Sequence, residues 1–190
     1  MPASPPVTPA QVAQYTQGKV SASDPRLPGL IDGATAAVRR YCGWHIAPVM
    51  TETITLDGPG GHVLTLPTLH LAALPSVIEN GVTLTEYTSA SPDGTFEWSP
   101  LGTVRRTCGR WTDRYRSIAV TMTHGYEDAP DVAQIIMQVV TAALSSPMGA
   151  TREQAGALSV SWATTAPGVS GGLSLLQRDL DVLNLYRLGA

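Results

Sequence analysis

Five arginines fall between residues 105 and 116: Arg105, Arg106, Arg110, Arg114 and Arg116. Trp111 and Tyr115 are interleaved with them, and only Asp113 opposes them. Guanidinium groups at this density can bind phosphates, and neighbouring rings can stack on bases. They can equally pair with carboxylates of another chain, because the planar fork matches a carboxylate in two places. The cluster reads as a basic patch whose partner could be nucleic acid or the acids of a neighbouring chain, or as an exposed hairpin whose arginines stay solvated.

Other residues with chemical potential are weaker. Gly168-Val169-Ser170-Gly171-Gly172 has the form of a nucleophile elbow. That device needs a preceding strand, a following helix and a later histidine. The last histidine is His124, so the segment reads as a glycine-rich loop. His45, His62, His70 and His124 show no i, i+4 pair and no HExxH, which points to structural or surface roles. Glu52, Glu79, Glu86 and Glu97 could do acid–base work only if the fold gathered them. No P-loop and no GxGxxG is present. Cys42 and Cys108 form no CxxC or zinc pattern and are expected as two buried free thiols. No catalytic residue, metal site or cofactor emerges, and the reading is non-enzymatic.

Composition sets the frame. The 190 residues are 43% hydrophobic and 14% charged, which favours a folded core over disorder. Val132 to Leu144 is the most apolar stretch, but Gln134 and Gln138 break it, so no membrane span is expected. Met1-Pro2-Ala3-Ser4-Pro5-Pro6 lacks the basic and apolar regions of a secretory signal. A net charge of -3 argues against a dedicated nucleic-acid binder.

The elements that must position these residues follow from periodicity. Thr8-Pro9-Ala10-Gln11 has the form of a capping box opening a short helix that Gly18 ends. Leu27, Leu30, Ile31, Ala34, Val38 and Tyr41 keep helical spacing up to a stop at Gly43. Asp24 and Pro25 could open that helix, although Pro28 moves its start toward Leu27. Residues 51–56 alternate as a strand, and 63–66 read as its return strand. Asn80-Gly81 marks a hairpin between 76–79 and 82–85, and Asp93-Gly94 marks a further turn before 95–98. Residues 117–123 form the clearest strand. A long helix then carries Val132, Ile135, Ile136, Val139, Val140 and Ala143. It is nearly free of charge after its first turn, so it is covered on more than one side. A neighbouring subunit and the rest of its own domain serve equally well as the cover. Residues 158–163 alternate as a strand, and Ser174 could cap a last helix with Leu176, Leu180, Leu183 and Tyr186. The expected fold class is α+β: a small helical bundle with an inserted antiparallel β module and a C-terminal strand and helix. The expected organisation is an arm at 1–23, a helix–β–helix core at 24–150, and a C-terminal strand, loop and helix at 151–190.

Four stretches, in order, resemble the head-to-tail adaptor (connector) proteins of long-tailed bacteriophages. They are Asp24-Pro25-Arg26-Leu27 leading through residues 38–48; residues 51–58 continuing to Leu66-Pro67; Gly109-Arg110-Trp111 and the strand into Thr123-His124-Gly125-Tyr126; and Gly172-Leu173-Ser174-Leu175 through Leu183 to Tyr186-Arg187. Pro28 and the long 163–172 loop depart from the pattern. The resemblance implies a virion protein at the head-tail junction, assembled in the host cytoplasm into a homo-oligomeric ring, usually of twelve subunits. Such a ring joins the portal to a stopper or tail-completion protein. Genomic DNA passes through it without specific binding, and no membrane is involved. Under the resemblance Leu183, Tyr186 and Arg187 are portal-side candidates. Val132, Ile136, Val139 and Val140 are ring-interface candidates, and Arg105, Arg106 and Arg110 face a protein rather than DNA. The alternative reading is a β-rich, tail-associated module that recognises a glycan or host surface, with Trp98, Trp111 and Trp162 as stacking platforms.

Overall fold

The computed structural model describes residues 6–145, the backbone of 152–155 and 158–161, and residues 175–189. The fold is α+β. Among the described residues it comprises α1 (Pro9–Tyr15), α2 (Leu27–Cys42), β1 (Met50–Leu56), β2 (Val63–Thr65), β3 (Leu71–Glu79), β4 (Val82–Thr83), β5 (Phe96–Ser99), β6 (Thr103–Arg106), β7 (Ile118–His124), α3 (Pro130–Ser145), β8 (Arg152–Ala155), β9 (Leu158–Ser161) and α4 (Gln177–Leu183), with a 3-10 turn over Asn184–Tyr186. These form two compact units, one holding the helices with the β8–β9 hairpin and the other holding β1 to β7.

The helical unit follows its sequence signals. Thr8 and Gln11 make the reciprocal capping box: the Gln11 amide donates to Thr8 Oγ1, and the Thr8 amide donates to Gln11 Oε1 at 2.7 Å. In α2, Pro28 occupies the second helical position, where a missing N–H costs no ladder bond. Asp24 does not cap that helix directly; its carboxylate instead accepts the Arg26 amide and guanidinium. Leu27, Ile31, Ala34, Thr35, Val38 and Cys42 are the buried stripe. Gly43 ends the helix at φ +83, a left-handed conformation that glycine adopts without strain. α3 packs on α2 and also touches α1 and α4.

The β unit is built from two antiparallel sheets, ordered β1-β7-β3-β4 and β2-β6-β5. Residues 63–66 are therefore not the return strand of β1. β1 pairs with β7 from Met50↔His124 to Leu56↔Ile118, while β2 pairs with β6 in the other sheet. The reason lies in the turn. Gly58 donates to the Arg114 carbonyl and Gly60 to the Thr112 carbonyl, so 58–60 runs along a distant loop instead of folding back on β1. β3 also begins earlier than alternation alone suggests and runs through Pro75. β4 pairs only with Ile78 and Glu79, and the register against β7 shifts between Ala73 and Ser76, so Pro75 sits where no ladder bond is needed from it. Asn80 at φ 50 and Gly81 at φ 81 form the expected tight hairpin. Leu64, Leu66, Leu74, Val77, Phe96, Val104, Trp111, Ile118, Val120 and Met122 make the core of this unit.

Candidate functional site

The arginine cluster occupies one end of the β unit. Leu56, Ile118 and Glu79 share that end of the sheet, while Met50, His124 and Leu71 share the other. The main segment of this unit runs from Trp44 to Glu127, and Trp44 lies against His124 and Tyr126 at the second end. The cluster is thus at the tip farthest along the strands from entry and exit. Six residue steps at the usual rise separate the ends by about 20 Å.

The tip is fastened from beneath. Trp111 is 2% exposed and lies in the core. Arg106 stands over its ring at 5.3 Å and reaches Glu79 with an Nη2–Oε2 distance of 3.5 Å. Glu79 Oε1 also accepts the Thr112 amide at 2.7 Å. Asp57 Oδ1 accepts the Arg116 amide at 2.7 Å, Gly61 accepts from the Trp111 amide, and Ser117 accepts from Asn80. Each bond ties loop backbone to a different neighbour, so the loop is held in one conformation.

This arrangement divides the five arginines. Arg106 is turned inward, its side chain only 16% exposed, and serves the pedestal rather than the surface. Its β-strand register explains this: Arg106 pairs with Phe96, whose ring is buried. Arg105 projects on the other side and is neutralised by Glu97. Arg110, Arg114 and Arg116 are exposed, with Tyr115 between them at 85% exposure. None of these three has a carboxylate within ion-pair reach among the described residues. Tyr115 was visible in sequence beside the arginines, whereas Glu79 was named only among carboxylates that the fold would have to gather, and its place beneath the tip was not foreseen. Alternation from Val77 already put Glu79 on the inward face of its strand, which was the available signal.

The apolar stripe of α3 is buried within its own helical unit. Val132, Ile136, Val139 and Val140 are 0–4% exposed in the single chain. Of the two covers that sequence left open, the helix's own neighbours supply this one. The C-terminal candidates are likewise engaged internally. Leu183 is fully buried, and its carbonyl faces Cys42 Sγ at 3.6 Å. Tyr186 donates its hydroxyl to the Asp131 carboxylate at 2.8–3.0 Å. Arg187 lies over the Tyr41 ring at 5.5 Å. The exposed apolar residue of this segment is Leu185, at 79%. Its place in the 3-10 turn, off the helical register of Leu183, turns it outward.

Three of the four histidines meet at the entry end of the β unit. The His45 and His124 rings are 5.8 Å apart, Trp44 lies 6.3 Å from His124 and 6.1 Å from Tyr126, and Tyr126 stacks on His70 at 4.4 Å. His70 Nδ1–H donates to the Gly125 carbonyl, and His124 Nε2–H donates to Glu52 at 3.1 Å. Burial pushes the His124 imidazole below its ordinary value, against the opposing pull of Glu52. These contacts tie the segment that enters the unit, Trp44 and His45, to the segment that leaves it, His124 to Tyr126. No group of three or more His, Cys, Asp or Glu able to hold a metal occurs among the described residues. Both thiols are free; Cys42 is buried as expected, but Cys108 is exposed because it lies just beyond β6 in the loop to the tip. The Gly168–Gly172 motif, Trp162 and Ser174 lie outside the described residues. No described helix is long and apolar enough to cross a membrane.

No protein-family model and no curated protein matches the chain. Solved structures do. The neck of a native GTA particle computed with C12 symmetry contains a chain of TM-score 0.60 and 14% identity, with 100% of this chain and 94% of that one covered. A chain in the virion of a native gene transfer agent (GTA) particle gives TM-score 0.62 at 11% identity, covering 99% and 93%. A chain in the neck of an empty GTA particle computed with C6 symmetry gives 0.58 at 13%, covering 100% and 94%. This chain therefore has the fold of proteins found in such particles over essentially its whole length.

Proposed function

We propose that the chain is a structural, non-enzymatic adaptor in the neck of a tailed, phage-like particle. In this reading it forms a closed ring, twelve subunits by preference, between the portal and a stopper or tail-completion protein. The ring extends the DNA channel and is assembled in the host cytoplasm. One observation carries the proposal: the end-to-end likeness to chains in particle necks and a virion. The C12 and C6 symmetries of those necks favour a ring. A ring of identical subunits closes through two different patches per copy. A mildly acidic chain suits a channel through which DNA must slide, since tight phosphate binding would hold it back. The C-terminal segment around Leu185 is the portal-side candidate, because its apolar side chain is left uncovered.

The glycan-binding alternative is less well supported. Trp111 is buried, and Trp98 is partly buried with its indole N–H donated to Glu86 at 2.8 Å. Neither offers an open ring face. Deletion of the gene in the parent particle, followed by electron microscopy of the lysate, tests the proposal. DNA-leaking or empty heads beside detached tails are expected. Intact, infectious particles would reject it.

A further inference from the structure

The four-stranded sheet ends in a strand with an open edge. β1 is its outermost strand, and no described segment other than β7 bonds to the β1 backbone. Proteins usually blunt such an edge with proline, lysine, a bulge or a very short strand. β1 has none of these. Met50-Thr51-Glu52-Thr53-Ile54-Thr55-Leu56 runs in unbroken register, and its one charge, Glu52, is bonded to His124. The other edges of the β unit are blunted: β4 has two residues, β2 has three, and the Tyr87 amide bonds across β5 to the Phe96 carbonyl. In the helical unit, β8 and β9 form a two-stranded sheet of their own, antiparallel from Arg152↔Ser161 to Ala155↔Leu158. They pack on each other and on no other described element to a comparable extent. Two strands alone are marginal in water, and a third stabilises them. We propose that the β8–β9 hairpin of one copy adds, through β9, to the β1 edge of the next copy, an inference that rests on the ring reading above.

Three observations select a second copy. First, the chain holds both halves of the joint, an open edge and a hairpin short of a strand, and keeps them in separate sheets. Second, the two strands match in pattern. Thr51, Thr53 and Thr55 form the exposed face of β1, while Ile54 and Leu56 pack against the core. The β9 sequence alternates in the same way, Leu158-Ser159-Val160-Ser161. One register parity therefore continues the hydroxyl row with serine and the apolar row with leucine and valine. Hydroxyl pairs already join strands in this sheet: Thr51 meets Thr123 at 2.7 Å and Thr53 meets Thr121 at 2.9 Å. β8 carries Arg152 and Glu153 and matches the apolar row less well. Third, a hairpin on an edge is a head-to-tail contact between two different surfaces, the kind that closes a ring. β1 against β1 of a second copy would be two-fold and would end at a pair. In such an addition the backbone bonds carry affinity and the alternating side chains set the register.

The test is a cysteine scan in assembled particles whose chain also carries Cys108→Ser. Thr51→Cys, Thr53→Cys and Thr55→Cys are each combined with Ser159→Cys. With the parity above, these positions cover every register in which β9 lies fully on β1, in either direction. All three threonines are exposed, so the changes spare the core. Paired residues on neighbouring strands lie within disulfide reach, and mild oxidation joins them. At least one pair should give a ladder of covalent dimers, trimers and higher multimers of this chain on a non-reducing gel. Ile54→Cys with Ser159→Cys, of the opposite parity, should give at least about tenfold less. Links confined within one copy, dimers from Thr53→Cys alone, or no ladder in particles whose neck contains this chain would overturn the strand addition and leave the neck reading standing. Parent particles that lack this chain altogether would overturn the neck reading and the addition with it, so the two failures are distinct.

Discussion

Glu79→Ala should destabilise the β unit by about 3 kcal/mol, and the reasoning can be checked by a double-mutant cycle with Arg106→Met. Arg106 and Glu79 are 16% and 10% exposed, with 3.5 Å between Nη2 and Oε2. Removing one partner of a buried pair costs about 3–5 kcal/mol, because the remaining charge stays buried. Water still reaches the guanidinium edge and the pair is long, so the lower figure applies. The same substitution also deprives the Thr112 amide of its acceptor. Glu79→Gln keeps an acceptor there and should cost about 1–2 kcal/mol. Arg106→Met should also cost about 3 kcal/mol, because it leaves the Glu79 carboxylate buried without its cation, although the thioether can still cover Trp111. Methionine with glutamine should then be less harmful than the sum by about 1 kcal/mol. Urea titration followed by tryptophan fluorescence is the assay. With a slope of about 2 kcal/mol per molar urea, Glu79→Ala lowers the midpoint by about 1.5 M. Additive single effects, or a midpoint unmoved by Glu79→Ala, would refute the pedestal.

Three further outcomes are expected. Gly58→Ala should displace the 112–114 backbone, because its Cβ would fall inside the Thr112 carbonyl oxygen; hydrogen exchange at the Thr112 and Arg116 amides reads the displacement. Acidification should destabilise the β unit: the folded imidazole of His124 titrates below its ordinary 6.5, so the unfolded chain binds the proton first. That contribution is complete above about pH 6.5 and is lost as pH falls, and His124→Gln should flatten the slope of melting temperature against pH in that window. A thiol reagent at pH 8 should modify Cys108 quickly and Cys42 only on unfolding, since burial pushes the Cys42 thiol up to about 11.

Local signals in the chain were readable, and non-local ones were not. The Thr8–Gln11 box, the stop at Gly43 and the Asn80-Gly81 hairpin each depend on a few adjacent residues. The partner of β1 depends on β7, more than sixty residues on, and on glycine amides bonding to the 112–114 loop. Alternation cannot report either. Pro75 hid the first half of β3, because the bulge that accommodates it is a property of the pair with β7. The arginine cluster was visible as a run of charge. Which arginines face outward was set by strand register at Arg105 and Arg106 and by the burial of Trp111. Likewise the stripe on α3 was plain in its spacing, but its cover was decided by the packing of α2, α1 and α4.

The most direct test of the neck reading is a cryo-EM reconstruction of the parent particle's neck at a resolution that identifies side chains. The account predicts this chain in a closed ring between head and tail. A neck ring built of other chains, with this one absent or confined to the distal tail, would contradict it.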